Sequence, residues 1–109
     1  MKIDILGTEY ELVESNEKED CRLVDADGYC DTSIKKCVIY DMSNAGENSK
    51  QDLPSYQKQV KRHELIHAFL HESGLSVSSW ADNEEMVDWF AIQFPKMLRA
   101  FKVAGCSED

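Results

Sequence analysis

No stretch of the 109-residue chain comes near the roughly 18 consecutive apolar residues that a membrane-spanning helix requires, so no membrane partner is expected. A secretory leader is not expected either. Met1-Lys2-Ile3-Asp4-Ile5-Leu6 meets an acid at its fourth residue, with no long apolar run behind it. Positive charge is scarce: 12 Lys and Arg stand against 21 Asp and Glu, a net charge of −9. Phosphate contacts need clustered Lys and Arg, so nucleic acid is not an expected partner. The four cysteines, at positions 21, 30, 37 and 106, fit neither a C-x-x-C zinc ribbon nor a dense disulfide scaffold. They read as reduced thiols of a cytoplasmic protein, with Cys37 a buried small hydrophobe. A disulfide between two of the first three is the lesser alternative.

What remains is an ordinary globular composition, 42% hydrophobic and 30% charged. Residues 1–109 suit a single domain, expected to be monomeric and large enough to bury a core without covalent staples. Residues 1–50 are strand-rich. Lys2–Leu6 and Glu9–Val13 alternate apolar and polar residues around Gly7-Thr8, the signature of a two-residue hairpin. Ser15–Asp20 is polar and reads as a loop, Arg22-Leu23-Val24 as a short strand, and Asp25-Ala26-Asp27-Gly28 as a plain turn. Tyr29-Cys30-Asp31 and Lys36–Tyr40 supply further strands. Asp41–Asp52 has loop composition.

Two helices follow. The first spans 53–73, with Pro54 in its first turn and Gly74 as stop signal. The second spans 82–103, opening on an acidic capping box of Asp82 and Glu85. Pro95 removes an intrahelical hydrogen bond and is expected to bend or restart this helix. A frayed tail is expected from Gly105 onward.

All three histidines lie in Arg62-His63-Glu64-Leu65-Ile66-His67-Ala68-Phe69-Leu70-His71. In His63-Glu64-x-x-His67 the two imidazoles are four residues apart on a helix, one turn apart on one face, where both can grip one ion. Zinc accepts such nitrogens, and Glu64 projects beside the ion, where a general base for activated water belongs. A catalytic zinc usually takes a third protein ligand. Glu84 and Asp88, again one turn apart, offer a carboxylate ligand and an acceptor for the second N–H of a zinc-bound histidine. Glu85 is the alternative third ligand, disfavoured because the capping box already occupies it.

His63-Glu64-Leu65-Ile66-His67 followed by Glu84-x-x-x-Asp88 resembles the gluzincin pattern of thermolysin-type metallopeptidases. Trp89-Phe90-Ala91-Ile92-Gln93-Phe94-Pro95 is similar to the Phe-Ala…Pro stretch of the ImmA/IrrE metallopeptidases, often carried by phages and mobile elements. The layout of strands then two helices is similar to the single-domain minigluzincins. The resemblance implies one zinc per chain at His63, His67 and Glu84. It also implies Glu64 polarising water and the 37–40 strand lying along a substrate cleft. Asp88 departs from the ImmA/IrrE group, which commonly has Asn there. The ImmA/IrrE proteins also often work beside a DNA-binding domain, and none is expected within these 109 residues.

Plainer roles fit several neighbours. His71 cannot share one tetrahedral ion with the two turns before it and reads as a core or supporting histidine. Trp80 and Trp89 read as packing residues. Lys58, Lys61 and Arg62 read as a solvated basic face, with acidic-substrate anchoring the lesser alternative. Leu65, Ala68 and Phe69 make the first helix apolar on a second side, as if sandwiched between sheet and second helix. Tyr29, Tyr40 and Tyr56 are unranked candidates for stabilising an oxyanion. The expected fold is α+β, a small mainly antiparallel twisted sheet on an active-site helix plus a C-terminal helix, zincin-like. The expected function is zinc-dependent hydrolysis of peptide bonds in a peptide or protein substrate. Its rivals are a non-catalytic zinc domain that binds a protein partner, such as a phage or mobile-element regulator, and a metal-free structural domain in which the two histidines are satisfied core residues. The last is disfavoured, because unpaired polar groups on a buried helix cost several kcal/mol.

Overall fold

The computed structural model describes residues 1–42, 52–75 and 83–108. Within them, β1 (Lys2–Ile5) and β2 (Thr8–Ser15) form an antiparallel hairpin closed by Leu6-Gly7. Both loop residues have positive φ, 51° and 91°, which suits the twist of the flanking strands. The loop therefore lies one residue earlier than Gly7-Thr8, and Thr8 pairs with Ile5. β2 also takes Ser15 from the expected loop, since Ser15 pairs with Tyr40.

Arg22-Leu23-Val24 is not a strand. Cys21–Leu23 forms a 3₁₀ turn, in which the Asp20 carboxylate accepts from Arg22 N at 3.0 Å and Leu23 N donates to Asp20 O at 3.1 Å. These local bonds win over sheet pairing. β3 (Gly28–Asp31) and β4 (Lys36–Tyr40) follow as an antiparallel pair. The sheet order is β1-β2-β4-β3, with β2 and β4 parallel. The α+β class is as expected, and the sheet is mixed: β4 slots inside, and β1 and β3 are the edge strands.

Side-chain alternation divides the sheet into two faces. Cys30 and Cys37 are cross-strand partners and pack with Ile5, Tyr10, Leu65 and Ala68 on the helical side. All four cysteines are free thiols, and Cys37 is buried. Tyr29 points the other way, its hydroxyl donating to Asp20 and its ring 5.4 Å from the Arg22 guanidinium.

α1 (Leu53–Glu72) starts as expected, with Pro54 in the first turn and the Asp52 carboxylate accepting from Ser55 N at 3.2 Å. Val60, Glu64 and Ala68, each one turn from the next, form its buried row. α2 (Glu84–Ala104) packs against α1 through Val87 and Ala91. Its cap is Asn83, which accepts from Met86 N at 3.0 Å and so does the work expected of the Asp82–Glu85 box. α2 runs through Pro95 as one helix, without the expected restart. Both helices end in the same double hydrogen-bond pattern. Gly74 N donates to His71 O and Leu75 N to Leu70 O, while Gly105 N donates to Lys102 O and Cys106 N to Phe101 O. The tail thus begins with a bonded cap at Gly105 rather than a frayed end.

Two packing expectations are corrected. Phe69 is 42% exposed, because it lies 100° round from the inward Ala68, and Trp89 is 52% exposed, two residues round from inward Val87. Residues 43–51 of the expected loop, Trp80 and Asp82 lie outside the described residues.

The far end of α1 is fastened to the sheet by a three-way bond. Glu72 Oε2 accepts from the Tyr10 hydroxyl at 2.7 Å and from Lys35 Nζ at 2.9 Å. Those two donors, the Lys35 ammonium first, hold the Glu72 carboxyl down at about 2. Burial, with the adjacent carboxylate, pushes the Tyr10 phenol up, so it stays a donor. A carboxyl with a depressed folded-state pKa stabilises above its unfolded value near 4.3, and that contribution disappears as pH falls toward the folded value. Urea unfolding of wild type should therefore lose stability steeply between about pH 5 and pH 2. Glu72→Gln should be less stable at neutral pH, lose less across that window and meet the wild-type curve near its acid end. Parallel curves would contradict this.

Candidate metal centre

The seam between α1 and α2 brings three donor groups together. His63 and His67 present their Nε2 atoms 3.2 Å apart, as the one-turn spacing demands. Across the seam, Glu84 in the first turn of α2 places Oε2 3.0 Å from His63 Nε2 and Oε1 2.9 Å from His67 Nε2. Ligands bound at about 2.0–2.1 Å around a tetrahedral ion stand about 3.3 Å from one another, so the triangle has the size of a tetrahedral face. Both histidines are half-buried and Glu84 is exposed. Among the described residues, His63, His67 and Glu84 are the set of this kind that could hold a metal ion.

Asp88 sits one turn along α2, its Oδ1 3.3 Å from His63 Nδ1. With the Nδ1 proton directed at that carboxylate, Nε2 of His63 carries its lone pair toward Glu84 and His67. Lone pairs and a carboxylate then converge on one point. A cation relieves that arrangement, so the donor set fits a bound metal. Glu85, on the neighbouring exposed side of α2, does not join the converging group, and neither does His71, whose Nε2 lies 3.9 Å from Glu72 Oε2.

Glu64 belongs to a different face of α1. It is 8% exposed, in line with Val60 and Ala68, and its backbone carbonyl accepts from Cys37 Sγ at 3.7 Å. Burial pushes its carboxyl up to about 7; His63 opposes the shift and the Glu84 carboxylate adds to it. Two clefts open on either side of the His63–Glu64 pair. One is lined by Asp27, Tyr56, Gln59 and Asp88, the other by Cys30, Thr32, His71 and Glu84. The strand bordering both is edge strand β3. The resemblance implied Cys37–Tyr40 in that place, but β4 is interior, and its Cys37, Val38 and Ile39 are buried.

The three tyrosines separate cleanly. Tyr29 borders the cleft that holds His67 and Glu84, with its hydroxyl donating to Asp20, and Tyr40 lines a pocket with Glu17 and Asp41. Tyr56 lines the cleft with His63 and Glu64, donating to Asp27, whose carboxylate, followed by burial, pushes the phenol up to about 12.

Two residues close to the site escape a reading of the sequence. Arg62 is no solvated cation: its Nε donates to the Ala91 carbonyl of α2 at 2.6 Å, while Lys61 pairs with Glu14 at 3.2 Å. The signal was Pro95, whose missing N–H leaves the carbonyl four residues earlier without its helical partner. The other is Gly28, where β3 passes close to α1. A Cβ there would meet Val38 O at 3.0 Å, Val60 Cγ1 at 3.1 Å and Glu64 Cγ at 3.3 Å. A glycine opening a strand is the sequence sign of such a close approach.

No family model matches the chain, and no curated protein or solved structure matches it.

Because Gly28 sets how near Glu64 lies to β3, Gly28→Ala should force the two apart. Overpacking of this kind costs about 1–3 kcal/mol, readable as a lowered urea midpoint with unchanged slope. An unchanged midpoint would show that the sheet has room to yield.

Proposed function

We propose that the chain is a zinc-dependent metallopeptidase of zincin-like architecture, held by His63, His67 and Glu84. The observation that carries this reading is the convergence of those three donors beside a buried carboxylate, Glu64, on the wall of an open cleft. The likeness of His63–Pro95 to gluzincins supports it. When bound, zinc supplies Lewis acidity and lowers the pKa of water toward ~7.

The chain's own residues do the rest. Asp88 orients His63 by accepting from Nδ1 and keeps Nε2 available as a ligand. Glu64, with its carboxyl near neutrality, is matched to taking a proton from water and returning it to the leaving amine. Beside a bound dication the Glu64 carboxyl would stand closer to its ionised, proton-accepting form. The outer edge of β3 offers backbone donors and acceptors to an extended peptide lying across the cleft. Tyr56 lines the neighbouring cleft with its hydroxyl proton given to Asp27, so no phenol is assigned to charge developing on a carbonyl oxygen.

A second reading, a zinc-held domain that binds a protein partner without catalysis, is favoured by the exposed apolar residues Trp89, Ile92, Phe94 and Phe101 of α2.

Elemental analysis of untagged protein tests the metal, with about one zinc expected per chain and its loss expected in Glu84→Gln. No zinc after loading would overturn the proposal. Glu64→Gln separates the two readings, since it keeps size and zinc. Peptide-library hydrolysis followed by mass spectrometry should fall by about 10²–10⁴-fold in that variant. Undiminished biological activity of Glu64→Gln would leave the interaction domain standing instead.

A further inference from the structure

Pro95 sits within α2, and the carbonyl it cannot serve is that of Ala91, a buried residue. That carbonyl faces α1 and accepts from Arg62 Nε at 2.6 Å, a short bond from a charged donor. Arg62 immediately precedes His63. Ala91 lies three residues beyond Asp88 and seven beyond Glu84, on the same side of α2. The bond therefore pins the axial position of α2 next to the point where its carboxylates must meet the histidines. It uses neither a proposed ligand nor Asp88.

We propose that Arg62 is a positioning residue: by reading the carbonyl that Pro95 frees, it fixes Glu84 and Asp88 in register with His63 and His67. The inference rests on the metal reading above. A slide of one helix residue is about 1.5 Å, several times the ~0.2 Å tolerance of a metal–ligand distance, so a tie at this place matters to affinity. Guanidinium also suits the task better than ammonium, since its rigid N–H holds one direction.

The Pro95 dependence gives the test its discrimination. In Pro95→Ala the new N–H restores the intrahelical bond to Ala91, and Arg62 loses its special acceptor. Zinc affinity is measured by chelator competition on untagged wild type, Arg62→Met, Pro95→Ala and the double variant, with circular dichroism confirming the fold of each. Arg62→Met should weaken zinc binding by about 10–100-fold in the natural background, as loss of supporting contacts does elsewhere. In the Pro95→Ala background the same substitution should cost less than about threefold, the difference being the coupling of the two sites. Arg62→Lys, which keeps charge and stem, should also lose affinity and serves if Arg62→Met does not fold. Equal losses in both backgrounds, or none in the natural one, would overturn the positioning role while leaving the metal site intact. A wild type that binds no zinc would bring down the metal reading, and this inference with it.

Discussion

Helix α1 must bury one side against the sheet and a second against α2, and with 3.6 residues per turn little of its circumference is left for water. Most of what is unusual in the molecule follows from that constraint. The sheet-facing row Val60–Glu64–Ala68 includes a carboxyl, and the α2-facing side includes two imidazoles and a guanidinium. Groups of this kind do not remain unpaired in a packed interior, because each would cost about 1–3 kcal/mol or more. Every one of them has a use in the structure: Arg62 meets a carbonyl, His63 meets Asp88 and Glu84, and His67 meets Glu84. No buried side-chain polar atom among the described residues lacks a partner. Glu64 is the member whose burial outweighs the opposing pull of His63, leaving its carboxyl raised to about 7.

What could be read from the sequence divides along local and non-local lines. The bounds of α1, Pro54 in its first turn and the stop at Gly74 depend on residues within one turn of each other, and all three were legible. So was β4, a run of β-favouring residues whose range was read residue for residue. The pairing of the His63–His67 turn with Glu84 was legible because three helix faces and one short connection leave few alternatives. The hairpin slipped by one residue because Leu6 adopts a left-handed conformation that β-propensity does not foresee. Arg22-Leu23-Val24 misled because Asp20 captures its backbone locally. The parallel pairing of β2 with β4 and the edge position of β3 are long-range choices, settled by which strand covers which, and no window of sequence contains them. Gly28 and Arg62 were illegible for the same reason, since their partners lie 36 and 29 residues downstream at Glu64 and Ala91.

The seam also explains why the fold keeps other fastenings. Glu64, Glu84 and Asp88 gather three carboxyl groups near two imidazoles, in a chain that already carries a net charge of −9. Like charges in such a cluster oppose one another even where Glu84 and Asp88 each meet a histidine. The bonds that hold the helices in place are accordingly drawn from elsewhere. At the C-terminal end of α1, Lys35 and Tyr10 converge on Glu72, tying the helix to β2 and to the β3–β4 turn. At its middle, Arg62 ties it to α2 through a backbone carbonyl, which carries no charge to be titrated or displaced. These contacts hold the helices without drawing on the donor cluster, so the placement of the cluster does not depend on its own charges. A helix that sacrifices one internal hydrogen bond at Pro95 to receive its neighbour's arginine is thus part of the same arrangement as His63, one residue from that arginine.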